Sequence, residues 1–166
     1  MVADGLLTRQ RYREVPPRVD YELTERSREL MPVVGALARW GYDWTWTAPR
    51  PGEDVNIGAV FRLAPGLIEP PPGAEGTVDL VVEDEGEGED AHERRYRLTA
   101  TRGRMEIAEG ELDGTASAIV AGTQADWVRA LGPEGSSDEL SFSGNRGLAE
   151  TILAGFTAAA RRAAAA

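Results

Sequence analysis

The first strongly patterned stretch of the chain alternates apolar and polar residues on either side of two prolines. Residues 6–13 and 18–23 each show a period of two, and residues 14–17 read Glu-Val-Pro-Pro. Such alternation is typical of strands, and prolines favour a turn over a ladder position. The pattern predicts a β-hairpin. Because side chains alternate across a strand, one hairpin face should carry three arginines, Arg9, Arg11 and Arg13.

A period of three to four residues follows Thr24, a residue type that favours helix N-caps. Pro32 is expected either to kink this helix or to mark its first turn. The segment is too short to bury an apolar stripe within its own hairpin, so the stripe should pack on a partner subunit or on the following domain. Dimerisation is the preferred interpretation. The stripe consists of Leu30, Val33, Val34, Leu37 and Trp40.

Breaker residues divide the rest of the chain. Residues 47–54 read Thr-Ala-Pro-Arg-Pro-Gly-Glu-Asp, a polar stretch that cannot continue a helix and is typical of a linker. We therefore expect a first region at residues 1–47, a linker at residues 48–56 and a second region at residues 57–166.

The second region is expected to open with a short apolar helix at residues 57–63. Alternating apolar positions then predict half-buried strands, and amphipathic spacing predicts helices at residues 125–131 and from Leu148 through Phe156 to about Arg162. The expected fold class is α+β, an antiparallel sheet with helices on one face. The predicted strands are centred on residues 78–82, 96–100, 104–108, 116–121 and 140–143.

Composition restricts the chemistry that this chain can perform. Hydrophobic residues make up 42% and charged residues 28% of the 166 residues, and no apolar stretch approaches the roughly 20 residues of a bilayer-spanning helix. No export signal pattern follows Met1, so we expect a soluble cytoplasmic protein without a membrane partner. Because the chain contains no cysteine, disulfides, thiol nucleophiles and cysteine-ligated metals are excluded.

The net charge of −10 is distributed unevenly. Residues 1–47 carry seven basic and seven acidic side chains, 7 − 7 = 0, so the whole excess of negative charge lies beyond them. An evenly acidic chain would argue against nucleic acid, because duplex affinity depends on Lys and Arg that neutralise phosphates. The arginine face of the hairpin is therefore either a solvated face or a surface that lies along a phosphate backbone.

The chain offers weak candidates for catalysis. His92 is the only histidine and lies in a charge-rich run, while Ser136 and Ser137 lie in a Gly/Ser turn distant from it in sequence. The acidic run at residues 83–90 is expected to be a solvated loop, because its glycine spacing does not match a calcium loop. We expect no catalytic residue, no bound metal and no cofactor.

Several motifs in the first quarter of the chain carry a family resemblance. In order, they closely resemble the wing and last helix of HxlR-type winged-helix transcriptional regulators. These motifs are Asp4-Gly5-Leu6-Leu7, Glu14-Val15-Pro16-Pro17-Arg18-Val19, Leu23-Thr24, Leu30-Met31-Pro32-Val33-Val34 and Leu37 to Trp40-Gly41.

This resemblance implies a partial winged helix and two functions for it. The hairpin would be the wing that contacts the DNA backbone, and the last helix would help to form a homodimer through the stripe from Leu30 to Trp40. In the family a recognition helix that reads base edges precedes these elements, and Met1 falls at its end. We expect either that the gene start lies further upstream or that the chain is a natural remnant. The arginines implied in backbone contact are Arg9, Arg11, Arg13 and Arg18.

The order of elements in the second region resembles sterol-carrier-like domains. The resemblance rests on a strand at residues 117–122, a helix around Asp126-Trp127-Val128 and a final strand and helix from Phe142 to Phe156. It implies an apolar cavity between sheet and helices that holds a hydrophobic small molecule, although a filled core explains the same pattern. The side chains that would either line or fill it are Trp127, Phe142, Leu148, Ile152 and Phe156.

The leading hypothesis is a dimeric transcription factor in which a hydrophobic effector, bound in the second region, alters the geometry of the paired DNA-binding halves. The alternative is a small-molecule or lipid-binding module that no longer recognises DNA. A third hypothesis is a structural dimer that binds no ligand.

Overall fold

The computed structural model describes most of the chain, which begins with a β-hairpin followed by two helices. The first region contains strands β1 (Leu7–Arg11) and β2 (Val19–Leu23) and helices α1 (Glu25–Arg28) and α2 (Met31–Thr45). The described residues are 1–11, 19–45, 47–50, 53, 55–83, 93–110, 112–132 and 135–161.

The predicted hairpin is present. Strands β1 and β2 pair antiparallel, with Leu7 opposite Leu23 and Arg11 opposite Val19. The connecting residues 12–18 lie outside the described part of the chain. Thr24 caps helix α1, because its side chain accepts a hydrogen bond from the Ser27 amide and its hydroxyl donates to the Gly5 carbonyl, 2.8 Å away. These bonds fix the first helical turn to the start of the hairpin.

Pro32 marks the first turn of helix α2 rather than a kink. Helix α2 begins at Met31, so Pro32 occupies a position where an unbonded amide is tolerated. The short helix α1 ends three residues earlier, at Arg28. The sequence analysis left both outcomes open, and the early start of α2 decides between them.

The second region has the predicted mixture of helices and strands, and the α+β fold class is confirmed. Its helices are α3 (Ile57–Arg62), α4 (Ala64–Leu67), α5 (Gln124–Leu131) and α6 (Arg146–Arg161). Its strands are β3 (Gly76–Glu83), β4 (Arg94–Thr101), β5 (Arg104–Glu109), β6 (Ala118–Thr123) and β7 (Ser141–Gly144).

In the part of the chain that the structure describes, these strands form one sheet in the order β5-β4-β3-β6-β7. Three of its neighbouring pairs are antiparallel, as predicted, and the β3–β6 pair is parallel, which the sequence analysis did not predict. The cause is the connection between β5 and β6. It crosses β4 and β3, so that β6 enters the sheet in the direction of β3.

A buried ion pair holds this crossover against the sheet. Asp79 on β3 is 1% exposed, and the Arg97 guanidinium on β4 donates to both of its carboxylate oxygens, at 2.6 and 2.8 Å. Arg97 also donates to the backbone carbonyls of Asp113 and Gly114 in the crossover. Hydrogen bonding to Asp79 raises the pKa of Arg97, although burial opposes the shift. Because the charges satisfy each other, Asp79 is tolerated inside the protein.

The hydrophobic core lies between the sheet and helices α3, α5 and α6. Alternate residues of β3 point into it, among them Val78, Leu80 and Val82, each at most 1% exposed. Trp127 on α5 is fully buried, and its indole Nε1–H donates to the Val81 carbonyl at 2.8 Å. Every buried apolar side chain among the described residues lies at Ile57 or beyond, so this core belongs to the second region.

Candidate functional site

The hairpin presents Arg9 and Arg11 on one exposed face. The register places Arg9 opposite Tyr21 and Arg11 opposite Val19, and these four side chains share that face. The strand carboxylates Asp20 and Glu22 alternate onto the other face. Among the described residues no ion pair joins Arg9 or Arg11 to a carboxylate. The described residues therefore leave the guanidinium charge on this face available to an external anion.

The other two arginines that the sequence assigns to the wing, Arg13 and Arg18, lie outside the described residues. The hairpin geometry therefore tests neither of them. Their role in backbone contact stays a prediction, as does that of Arg9 and Arg11.

The apolar stripe of helix α2 is exposed along its whole length. The five residues predicted to mediate dimerisation are between 41% and 66% exposed. Trp44 continues the stripe by one more turn and is 74% exposed. The sequence analysis did not assign Trp44 to this surface, although its spacing of four residues from Trp40 would have supported the assignment. We call these six side chains the α2 apolar face; they are Leu30, Val33, Val34, Leu37, Trp40 and Trp44.

The opposite side of helix α2 packs against the second region. Gly35 is buried, and a Cβ atom built on it would lie 3.0 Å from the Gly66 Cα and would overlap the Gly66 carbonyl oxygen. The Arg39 guanidinium donates to the Leu67 carbonyl at 3.2 Å, and the Tyr42 hydroxyl donates to the Leu131 carbonyl at 3.0 Å. Helix α2 thus packs one side against the second region, and the described residues leave the α2 apolar face uncovered.

The residues predicted to surround a ligand belong largely to the packed core. Trp127 and Ile152 are at most 1% exposed, and Leu148 and Phe156 are each 7% exposed. Phe142 is only partly buried, and its ring lies 4.8 Å from the Arg146 guanidinium carbon. In this conformation the filled-core alternative describes these side chains.

Phe61 on helix α3 fills the space at the centre of this group, a role that the sequence analysis missed. Its ring centroid lies 4.8 Å from that of Trp127 and 5.3 Å from that of Tyr96, both in edge-to-face geometry. Phe156 is 6.1 Å away. The apolar pattern of residues 57–63 predicts a helix, but it does not indicate which of its side chains enters the core.

A surface cleft of about 290 Å³ adjoins the core at Leu148. It lies between the turn at residues 71–75 and the first turns of helix α6, including Asn145 and Thr151. The Asn145 side chain already accepts a hydrogen bond from the Leu148 amide, as helix N-caps do.

A family model of the HxlR-like helix-turn-helix matches residues 1–48 of the chain. The predicted HxlR-type resemblance of the first region is thereby confirmed.

Curated relatives match the same HxlR segment. An uncharacterized HTH-type transcriptional regulator of Synechocystis sp. is 50% identical over 40 residues, which cover 24% of this chain and 30% of that protein. A further HTH-type transcriptional regulator, from Methanothermobacter thermautotrophicus, is 49% identical over 39 residues, again 24% of this chain and 30% of the relative. The chain thus spans about a third of the length of the curated relatives that it matches.

Several solved structures are similar to this chain, among them the following two. A conserved hypothetical protein of Thermus thermophilus, described as a candidate sterol carrier protein, has a TM-score of 0.46 and 12% identity over 69% of this chain and 96% of that one. A sec-alkylsulfatase of Pseudomonas sp. has a TM-score of 0.48 and 15% identity over 60% of this chain and 16% of its own. Both likenesses are weak.

Of the residues considered for catalysis and metal binding, His92 and nearly all of the acidic run lie outside the described residues. The Ser136 hydroxyl donates to the exposed Asp138 carboxylate at 3.2 Å, a local bond within a turn. Within the described ranges no group of three or more metal-ligating side chains forms, and no helix there is long and apolar enough to cross a membrane.

Proposed function

We propose that this chain carries the wing and the dimerisation helix of an HxlR-type transcriptional regulator, joined to a second region that senses a hydrophobic small molecule. The observation that carries the proposal is the match of residues 1–48 to the HxlR-like helix-turn-helix family. Curated relatives of this segment are named as transcriptional regulators. On this proposal the protein is a cytoplasmic DNA-binding dimer and has no catalytic activity.

Backbone contact by the wing is supported by the charge arrangement of the hairpin. Arg9 and Arg11 lie on one exposed face, and the carboxylates of the paired strand lie on the other. A phosphate oxygen that approaches this face meets guanidinium groups without nearby cross-strand carboxylates. Such contacts position a protein on the duplex and carry little sequence information.

Dimerisation is supported by the uncovered α2 apolar face. Its members are large side chains that would lose exposed apolar area on association, and two tryptophans are among them. A twofold pairing would bring the same face from each copy together. Because the other side of α2 is occupied by the second region, a partner copy is the natural cover for this face.

Effector binding by the second region is supported by the resemblance of its sequence to sterol-carrier-like domains. The proposed site lies among the predicted pocket residues Trp127, Phe142, Leu148, Ile152 and Phe156. The alternative function is a small-molecule or lipid-binding module that no longer recognises DNA. The acidic balance of the second region favours that alternative, since the net charge of −10 arises beyond the neutral first region.

A salt titration of DNA binding tests the proposed wing. Fluorescence anisotropy would follow binding of this chain to the duplex upstream of its own gene, between about 50 and about 200 mM salt. Each arginine that neutralises a phosphate contributes about 0.9 to the slope of log K against log salt. We therefore expect the double variant Arg9→Ala/Arg11→Ala to bind more weakly and to lower the slope by about 2 for each chain of the bound dimer.

The control is Gln10→Ala, a substitution on the opposite face of the same strand, which should leave the slope unchanged. Equal slopes for the double variant and the parent chain would remove these arginines from the interface. Loss of all binding by the parent chain at moderate salt would instead favour the ligand-binding alternative.

A further inference from the structure

Helix α2 is attached to the second region by a close contact between two glycines. A Cβ atom on Gly66 would overlap the Met31 carbonyl oxygen, and one on Gly35 would overlap the Gly66 carbonyl oxygen. The backbones of α2 and α4 therefore touch directly, with no side chain between them to absorb a displacement. When α4 shifts, α2 has to follow or the contact has to open.

Two hydrogen bonds reinforce this contact on the same side of α2. Arg39 donates to the Leu67 carbonyl at the end of α4, and Tyr42 donates to the Leu131 carbonyl at the end of α5. Terminal carbonyls of a helix have no partner within the helix, so these side chains satisfy acceptors that would otherwise need water. The bonds fix α2 in rotation and along its axis relative to the second region.

Helices α3 and α4 form one short segment that reaches from α2 to the centre of the core. Leu63 is the only residue between them, and its carbonyl accepts hydrogen bonds from the amides of Gly66 and Leu67. Phe61 on α3 is 0% exposed among the rings of Tyr96, Trp127 and Phe156. One end of the segment thus fills the core, and the other end touches α2.

We propose that the α3–α4 segment couples the core position of the Phe61 ring to helix α2. An apolar molecule of about the size of one aromatic ring that takes this position therefore displaces the α2 apolar face. The surrounding aromatic side chains favour a flat apolar ligand. This inference rests on the proposed function, because the α2 apolar face matters only if it pairs with a second copy. Coupling of this kind is reciprocal, so dimerisation also alters affinity for the ligand.

Hydrogen exchange with mass spectrometry tests the coupling on the full chain, with toluene as the probe. Phe61→Ala removes the whole ring and leaves room for one aromatic molecule beside Trp127. We expect amides of α3, α4 and α2 to exchange about tenfold faster in this variant, relative to those of β3, and toluene to slow all three helices again. The matched control is Leu140→Ala, which truncates a buried apolar side chain outside the proposed site and should leave α2 unchanged.

The decisive comparison is between the helices. Faster exchange in α3 and α4 with unchanged exchange in α2 overturns the proposal, as does a toluene effect confined to α3 and α4. If Phe61→Ala does not fold, Gly35→Ala tests the same link from the other end. It should speed exchange in α3, and unchanged exchange there overturns the proposal.

Sedimentation velocity of the same samples measures the oligomeric state, so the proposed dimer is tested separately from the coupling. A chain that remains monomeric at all concentrations contradicts the proposed dimer, while the exchange data still decide whether α2 follows the core.

Discussion

Helices α2 and α6 are nearly equal in length, at 15 and 16 residues, and both carry an apolar face with helical spacing. Helix α6 buries its face in the core of the second region, where Ile152 is 1% exposed. Helix α2 leaves its face uncovered, with Leu37 66% exposed. Apolar periodicity therefore identifies which side of a helix is apolar, but it does not indicate whether the same chain or a partner covers that side.

The difference has a thermodynamic consequence. Apolar area buried within the chain stabilises the fold at any protein concentration. Apolar area buried between two copies stabilises the fold more as the protein concentration rises and more dimer forms. If the α2 apolar face pairs with a second copy, the two helices contribute to stability in measurably different ways.

The largest expected effect comes from truncating the buried face. Ile152→Ala should lower the free energy of unfolding by about 2–5 kcal/mol, since it removes core contacts and leaves a cavity. Leu37→Ala should cost less, and its cost should depend on protein concentration because it acts through association. Urea unfolding of both variants at two concentrations measures this. If the loss of unfolding free energy in Leu37→Ala does not depend on protein concentration, helix α2 does not contribute to stability through association and does not differ from helix α6 in this respect.

A charge on the uncovered face should weaken association more than it weakens the fold. Leu37→Glu places a carboxylate within the α2 apolar face, and we expect the dimer dissociation constant to rise about thirtyfold or more, as for a hot-spot residue. Sedimentation velocity measures the change. The matched control is Thr45→Glu, an exposed position on the same helix that is not three or four residues from any member of that face.

Thr45→Glu carries the same charge on the same helix, so general repulsion between acidic chains would affect both variants. If the two variants dissociate alike, the effect is electrostatic and the face does not mediate pairing. If neither changes the sedimentation of the chain, helix α2 is not a dimer contact.

Much of the local structure follows from the sequence because it depends on neighbouring residues. Alternation places the β1–β2 hairpin, and the cap at Thr24 precedes the first helical turn. The family resemblance of the first region also depends on contiguous motifs. These features require no knowledge of distant parts of the chain.

The remaining features depend on distant contacts that no local pattern encodes. The parallel pairing of β3 and β6 results from the path of the crossover that Arg97 holds. Gly35 and Gly66 read in sequence as ordinary flexible positions, and only their close approach shows that α2 packs on α4. Phe61 similarly reads as one apolar residue of a short helix.

Helix α5 adds a third case to the comparison of helices α2 and α6. A hydrogen-bonded N-cap fixes its start, whereas α2 and α6 are compared by their apolar faces. The Thr123 hydroxyl accepts from the Asp126 amide, and the Asp126 carboxylate accepts from the Thr123 amide at 2.9 Å. Thr123→Ala should cost about 0.5–2 kcal/mol. This cost is smaller than the cost expected for Ile152→Ala, and it should not depend on protein concentration.

The cap also predicts a pH dependence with a definite sign. Partial burial alone would raise the pKa of Asp126, but hydrogen bonds from Thr123 and the Arg129 guanidinium outweigh burial and hold the pKa below its usual value. A depressed carboxyl pKa stabilises the fold above the unfolded-state value, about pH 4, and this stability is lost as pH falls through the folded-state value. Urea unfolding from about pH 6 down to about pH 2 should therefore show a smaller acid loss in Asp126→Asn than in the parent chain. An identical acid loss in both would mean that Asp126 titrates alike in the folded and unfolded states, and that the cap contributes through its neutral hydrogen bonds alone.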